Sequence, residues 1–163
     1  SRNGKKLKTA VKEEFLSMLA YYSDEELQKF VHEDVMAYAF KEAVDEIHRL
    51  KEEGYYIMLV SASVENYLVY VKDCLPFDHI IGTVIDEDYK LVGENNRHEQ
   101  KVSNILAHLQ EKNMVIDYDN SLSYSDSLSA DRPMMELTKS RYLINNPIKA
   151  QGYDHLHWTD PRK

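Results

Sequence analysis

The chain has 163 residues, of which 43% are hydrophobic and 29% charged, a balance typical of a folded globular protein and not of a disordered segment. Its net charge of −8 argues against a general nucleic-acid binder or a protein of anionic membrane surfaces. The single cysteine, Cys74, excludes an internal disulfide framework and a cysteine-based zinc site, and it fits a reducing, cytoplasmic setting. The longest apolar run, residues 55–60, is far shorter than the about 20 residues that cross a bilayer.

The first part of the chain has the residue spacing of helices only. Apolar residues recur at helical intervals from about Lys8 to Tyr22. Ser23, with Glu26 three residues later, has the pattern of a capping box, which predicts that a second helix begins there. A third helix is predicted from about Lys41 to Glu53, and Gly54 is placed to end it.

From residue 55 onward the pattern changes to alternating strands and helices. The apolar run 55–60 is typical of a strand buried on both faces of a parallel sheet. The further predicted elements are a helix at 64–74, a strand at 79–82, a hairpin at 83–92, a helix at 97–111, a strand at 122–125, a short helix at 132–137, and strands at 141–144 and 155–158. This order predicts an α/β fold, a three-layer Rossmann-like parallel sheet with right-handed crossovers. Residues 1–37 are predicted to form a small, partial helical cap on a core of residues 38–163.

Polar residues follow two of the predicted strands, at the edge of a parallel sheet where ligands bind. The Ser61 hydroxyl and the backbone near Ala62 could bind an anion, although a serine at such a position, taken alone, is more often a helix N-cap. Asp126 and Asp131 follow the strand at 122–125, and two carboxylates in a short loop suit Mg²⁺, although Asp131 could instead cap the next helix. Lys101 lies near a predicted helix start, where a cation is unfavourable, so either an anion lies nearby or the side chain is solvated.

These residues, in this order, resemble three motifs of the haloacid dehalogenase superfamily. Ser61 lies near the end of the segment Ile57–Ser63, Lys101 lies in the segment Gly93–Val102, and Asp126 lies in the acidic loop that starts at Tyr124. The local pattern is similar to the phosphoserine-phosphatase-like branch, subfamily IB. The resemblance implies a Mg²⁺-dependent hydrolase that removes phosphate from a small phosphorylated metabolite through an aspartyl-phosphate.

The same resemblance implies a role for each matched residue. Ser61, with the neighbouring Ala62, would bind the transferring phosphoryl group, and Lys101 would balance its charge. Asp126 would bind Mg²⁺, with Asp131 as the second acidic residue. Here the sequence departs from the family, because Asp126 and Asp131 are five positions apart instead of four, which indicates a one-residue insertion before Asp131.

A larger departure concerns the nucleophile. The family carries an Asp-x-Asp motif at the end of the first strand, ahead of the cap, and nothing before Tyr55 matches it. Asp117 and Asp119 look similar, but they lie directly before the strand at 122–125, with no room for the crossover of about a dozen residues that a parallel neighbour needs. We therefore expect the 163 residues, which begin with Ser1, to belong to a longer protein that supplies the nucleophile and the central strand.

Two other functions remain open at the level of sequence. In the first, the chain is a non-catalytic relative that binds a phosphate ligand or a protein partner. The missing nucleophile favours this hypothesis. An acidic scaffold without any ligand would show no change of melting temperature with Mg²⁺. His155 and His157 share one face of the last predicted strand, but no third ligand lies nearby, so they are not predicted to bind a metal.

Overall fold

The computed structural model describes residues 19–93 and 96–162. The helix predicted from about Lys8 to Tyr22 lies almost entirely outside these residues, and only a 3₁₀ turn at Leu19–Tyr21 is described. None of the described helices is long and apolar enough to span a membrane.

In the described part of the chain, two α-helices precede the first strand. Helix α1 (Asp24–Phe30) begins with the predicted capping box, in which the Ser23 hydroxyl accepts from the Glu26 amide at 3.1 Å and the Glu26 carboxylate accepts from the Ser23 amide at 3.2 Å. The chain continues from α1 as a π-helical segment at Val31–Val35. Helix α2 (Lys41–Glu52) is followed by Gly54 at φ +86°, as the sequence predicts.

The rest of the chain alternates between strands and helices. In chain order the elements are β1 (Met58–Val64), α3 (Glu65–Leu68), β2 (His79–Thr83), α4 (Glu99–Glu111), β3 (Leu122–Ser125), α5 (Leu128–Met135), β4 (Ser140–Ile144) and β5 (Asp154–Leu156). All three strand pairings, β1 with β2, β3 with β4, and β4 with β5, are parallel. The predicted α/β class is therefore confirmed, and the strand predicted at 122–125 matches β3 at both ends.

The strand predicted at 55–60 is wrong in its boundaries. The Tyr55 amide still donates to the carbonyl of Leu50 in α2, and the Ile57 amide donates to the Asp78 carboxylate at 2.8 Å. Because these amides are already bonded elsewhere, the strand begins only at Met58, and it extends through the serines to Val64.

Other predicted boundaries also shift. The helix predicted at 64–74 is only the short α3 followed by a 3₁₀ turn at Val69–Asp73. The hairpin predicted at 83–92 contains one antiparallel bridge, between Ile85 and Leu91. Helix α5 begins four residues earlier than predicted, because the Ser127 hydroxyl accepts from the Ala130 amide and caps it. The last predicted strand is shorter, and it is displaced by one residue toward the N-terminus.

The strands form two separate sheets, with the orders β1–β2 and β3–β4–β5. Among the described residues, β1 has no strand partner on the edge away from β2, and β3 has none on the edge away from β4. Residues of β1 and β3 line one cavity of about 730 Å³. We call this cavity the inter-sheet groove.

Each sheet has its own hydrophobic cluster. Val31 is fully buried and packs with Leu68 and Ile80, so the described part of the predicted cap lies against the β1–β2 half. Met135 and Leu143, both fully buried, pack together in the β3–β5 half. The two halves meet chiefly through α4, and the residues of that helix determine the geometry of the site.

Candidate active site

The end of β1 is held in a tight local turn. The Ser61 hydroxyl accepts a hydrogen bond from the Ser63 amide at 3.0 Å. The residue that precedes α3 is Val64, which makes no side-chain cap, so Ser61 does not serve as a helix N-cap. The Ser61 hydroxyl hydrogen remains available to donate to an anion.

Asn96 joins the ends of β1 and β2. It is 1% exposed, and its side-chain amide donates to the carbonyls of Ser61 at 2.8 Å and Ile81 at 3.3 Å. Its backbone amide donates to the hydroxyl of Thr83 at 3.1 Å, and its side-chain oxygen accepts from Asn104 of α4 at 2.9 Å. A buried amide with its hydrogen-bonding groups satisfied holds the backbone it contacts in one arrangement.

A second feature at the ends of β1 and β2 is the close approach of β2 to the turn after β1. A Cβ atom at Gly82 would lie 2.7 Å from the Ser63 carbonyl oxygen and 2.9 Å from the Glu65 Cα. Only glycine fits without a backbone shift, so Gly82 allows the two chain segments to touch. Sequence reasoning missed Asn96 and Gly82, since an asparagine in a polar loop and a glycine at a strand end have no pattern that marks them as buried contacts.

Lys101 lies in the first turn of α4, and its side chain is only 8% exposed. Its Nζ lies 2.6 Å from Oδ1 of Asp131, which is itself 13% exposed. The predicted anion near Lys101 is therefore Asp131, and a solvated lysine is excluded. A buried cation beside the ends of β1 and β3 can stabilise a second anion that enters the site.

Both carboxylate oxygens of Asp131 have hydrogen-bond partners. Its Oδ2 accepts from the Ser125 hydroxyl at 2.6 Å, and the Ser125 oxygen accepts from the Ser127 amide at 3.0 Å. Asp131 lies inside α5 and does not cap it, because Ser127 does. The Asp131 carboxylate therefore positions Lys101 and joins α4 to the end of β3.

Asp126 differs from Asp131 in its surroundings. It lies in the bend after β3 and is exposed, and its carbonyl accepts from the Asn146 amide at 3.0 Å. Within residues 19–93 and 96–162, no hydrogen bond to the Asp126 carboxylate is found, and no group of three or more His, Cys, Asp or Glu side chains is placed to hold a metal ion. One free carboxylate at a strand end fits Mg²⁺, which uses few protein ligands and completes its shell with water and substrate oxygens.

The acidic pair at Asp117 and Asp119 does not take part in this arrangement. The Asp117 carboxylate accepts from Asn120, and Asp119 lies 3.4 Å from Lys139. Both precede β3, at the end of the strand opposite to Ser125. The position of this pair agrees with its rejection as the nucleophile motif.

The His155 ring has a hydrogen-bond partner close to it in the sequence, since its Nε2 lies 2.6 Å from the Ile148 carbonyl oxygen.

Comparison with known proteins identifies the family. The model of the haloacid dehalogenase-like hydrolases matches residues 2–136. The chain belongs to this family. No curated protein matches the chain.

Several solved structures have a fold similar to that of the chain, at low sequence identity. A protein of unknown function from Bordetella pertussis is 20% identical, with a TM-score of 0.79 over 91% of this chain and 73% of its own. A probable phosphoserine phosphatase from Vibrio cholerae is 14% identical, with a TM-score of 0.63 over 94% of this chain and 53% of its own. A phosphoserine phosphatase solved as a phospho-aspartyl intermediate analogue is 19% identical, with a TM-score of 0.53 over 69% of this chain and 56% of its own. The chain thus spans little more than half of the length of these two phosphatases.

Proposed function

We propose that this family member is a Mg²⁺-dependent phosphomonoester hydrolase of the phosphoserine-phosphatase-like branch, subfamily IB, acting in the cytoplasm on a small phosphorylated metabolite. The observation that carries the proposal is the buried Lys101, held by Asp131 between the carboxyl ends of β1 and β3. Burial of a cation is costly even when it is paired, so a buried charge at this edge of the sheet indicates a functional site. The anion that the family resemblance implies for this site is a phosphoryl group.

Each residue of the site has a part in phosphoryl transfer. The Ser61 hydroxyl and the backbone near Ala62 donate to the phosphoryl oxygens, while Lys101 balances the charge that these oxygens carry. The Asp126 carboxylate, with Asp131 as the second acidic residue, would hold Mg²⁺, which would neutralise further negative charge on the phosphoryl group. Residues 1–37, which the sequence predicts to be the cap, exclude water while the substrate is bound.

The nucleophile is an aspartate carboxylate that lies outside the 163 residues. Its oxygen attacks phosphorus, the ester oxygen leaves as an alcohol after taking a proton, and a water molecule then hydrolyses the aspartyl-phosphate to release inorganic phosphate. None of the carboxylates described near Ser61 and Lys101 is placed in a pair for this task, since Asp131 already bonds to Lys101 and Ser125.

The test is an assay of the protein produced from its complete gene, with a panel of small phosphate esters. We expect release of phosphate that depends on Mg²⁺ and stops with EDTA. Lys101→Met should lower kcat by about a hundredfold or more, because it removes charge balance from the transition state. Lys112→Met, at an exposed lysine that follows the opposite end of α4, is the control and should keep full activity. Activity that persists in EDTA or in Lys101→Met would refute the proposal.

A non-catalytic phosphate-binding module is the second candidate, favoured by the absence of an Asp-x-Asp motif before Tyr55. It predicts that inorganic phosphate raises the melting temperature of the complete protein through Lys101 while no ester in the panel is hydrolysed. A complete gene that encodes an Asp-x-Asp motif after an apolar segment, together with turnover, decides for the hydrolase.

A further inference from the structure

The strand β1 carries an irregular bulge at the residues where the sequence predicts anion binding. Residues 61–63 of β1 stand opposite one residue of β2, Gly82, because the register of the pairing shifts between Val60 and Val64. The regular ladder between β1 and β2 is therefore interrupted at these three residues. A bulge beside a site redirects a side chain, and the carbonyl groups that the ladder no longer pairs need other donors.

Two side chains supply donors to the carbonyl groups of the bulge. The side-chain amide of Asn96 donates to the Ser61 carbonyl at 2.8 Å, and the Thr83 hydroxyl donates to the Ala62 carbonyl at 2.8 Å. The Thr83 oxygen also accepts from the backbone amide of Asn96 at 3.1 Å. Thr83 and Asn96 are both only 1% exposed, so these hydrogen bonds lie in the interior, where a lost partner is costly. The bulge that carries the Ser61 hydroxyl therefore depends on both groups.

The orientation of the Asn96 amide is determined by its neighbours. Its nitrogen faces the carbonyls of Ser61 and Ile81, which can only accept, so its oxygen must face Asn104. The Asn104 nitrogen then donates to the Asn96 oxygen at 2.9 Å, and the Asn104 oxygen accepts from the Gln100 amide at 3.0 Å. These three amides form a row in which each donates to the next. Neither Asn96 nor Asn104 can turn over without placing two oxygens face to face.

Helix α4 connects this row of amides to the buried ion pair. Asn104 follows Lys101 by three residues in α4, which is nearly one helical turn. Lys101 pairs with Asp131 at 2.6 Å near the end of β3, whereas Asn104 acts through Asn96 on the bulge of β1. The same helix therefore positions both the cation and the hydroxyl that the proposed function assigns to the phosphoryl group.

We propose that Asn104 and Thr83 are positioning residues for the hydrolysis of the phosphate ester. Asn104 sets the orientation of Asn96, and Asn96 and Thr83 together hold the bulge so that the Ser61 hydroxyl faces the phosphoryl group. Neither Asn104 nor Thr83 acts by contact with the substrate, since each acts through the backbone of the bulge. Their part in catalysis rests on the proposed function, whereas their hold on the bulge rests on the hydrogen bonds alone.

The first test separates the hydroxyl of Thr83 from its shape, in the protein produced from its complete gene. Thr83→Val keeps the shape and loses the hydroxyl, so kcat should fall about tenfold or more, because small displacements of a positioned group are costly. Thr83→Ser keeps the hydroxyl and loses a buried methyl group, so stability should fall while kcat stays within about twofold of wild type. Equal kcat in the two variants would overturn the role of Thr83.

The second test removes the donor in the middle of the row of amides. Asn104→Asp keeps the shape but cannot donate to Asn96 when it is ionised, so kcat should fall about tenfold or more. Ser103→Asp, at the exposed neighbouring residue of α4, adds the same charge and is the matched control, which should keep full activity. Because Asn104 acts through Asn96, adding Asn104→Asp to Asn96→Ala should lower kcat no further. Losses that multiply in the double variant would overturn the role of Asn104.

Hydrogen exchange of the Ser63 amide separates this inference from the proposed function. That amide donates to the Ser61 hydroxyl within the bulge, so it should exchange about tenfold faster in Thr83→Val and in Asn104→Asp, after correction for the change in global stability. Faster exchange, with no ester hydrolysed by the wild-type protein, would refute the hydrolase and leave the hold on the bulge intact. Unchanged exchange in both variants would overturn the inference, and turnover by the wild-type protein would then still decide for the hydrolase.

Discussion

Helix α4 buries a titratable side chain near each of its ends, and these two side chains are stabilised by different kinds of interaction. Near its start, Lys101 is paired with a carboxylate at 2.6 Å, and that carboxylate is held in turn by Ser125. Near its end, His108 stacks on His79 with ring centroids 3.5 Å apart and lies 2.6 Å from the Tyr56 hydroxyl.

The two ends of α4 have different roles: the His108 end serves packing, and the Lys101 end is suited to binding a ligand. Desolvation by burial, and next the neighbouring His108, lowers the pKa of His79, which favours the uncharged form of the His79 ring at the end where β2 meets α4. The Lys101 end instead has an ion pair beside the strand ends where ligands bind, and the hydroxyl of Ser125 positions the carboxylate of that pair. A buried charge with an ordered partner at a sheet's carboxyl edge is the better indicator of a site.

The largest effect should come from breaking the pair at the Lys101 end. Lys101→Met leaves the Asp131 carboxylate buried without its cation, so the free energy of unfolding should fall by about 3 kcal/mol. Urea unfolding of the complete protein measures this loss. The double variant Lys101→Met with Asp131→Asn should recover most of the stability and none of the activity. A double variant no more stable than Lys101→Met would show that the loss does not come from the unpaired carboxylate.

Asn96→Ala should produce the next largest effect. The change leaves the carbonyls of Ser61 and Ile81 without the donor that reaches both, at a cost of about 2 kcal/mol in unfolding free energy. Because Asn96 positions the Ser61 turn, kcat should fall more than the loss of folded protein explains. Asn66→Ala, at an exposed asparagine of α3, is the control and should change neither quantity. An unchanged kcat in Asn96→Ala would limit Asn96 to a purely structural role.

Gly82→Ala tests the close approach of β2 to the turn after β1. The added Cβ must displace backbone atoms, so we expect a loss of about 1–2 kcal/mol in unfolding free energy and a higher KM for the phosphate ester. Gly54→Ala meets no atom within 4 Å, and its cost comes only from the positive φ. Gly54→Ala should therefore lower stability while leaving KM unchanged. A KM shift in both variants would contradict a local effect of Gly82 on the site.

The smallest effect should appear in the pH dependence at the histidine end. Because the folded-state pKa of His79 is below the ordinary value of about 6.5, His79 contributes stability that is present above that pH and is lost as the pH falls below it. Lys72 and Lys112 lower the same pKa further, and Glu111 opposes them.

Chemical unfolding of wild type and His79→Gln between pH 7.5 and 5 tests this sign. Wild type should lose stability more steeply toward pH 5 than the variant, while the exposed His157→Gln should follow wild type. A variant curve as steep as that of wild type would place the titrating group elsewhere.

Sequence patterns predicted the local structure well where a local signal exists. The Ser23–Glu26 capping box and the glycine after α2 are local signals, and both lie where they were predicted. The strand 122–125 was also correct, because polar and turn-forming residues bound it on both sides. The predicted start of β1 was wrong, since a continuous apolar run does not show where strand pairing begins. The Ile57 amide instead donates to the carboxylate of Asp78, 21 residues away in the sequence.

The sequence by itself determined the α/β class, the family, the position of Lys101 near the start of a helix and that of Asp126 directly after β3, because periodicity and motif order are properties of neighbouring residues. Only the tertiary structure decided that Asp131 pairs with Lys101, that Asn96 is buried between two strands, and that the sheet is split at β1 and β3. Each of these depends on contacts between segments distant in the chain. Such contacts are set by the packing of α4 against both sheets, and no pattern of neighbouring residues records them.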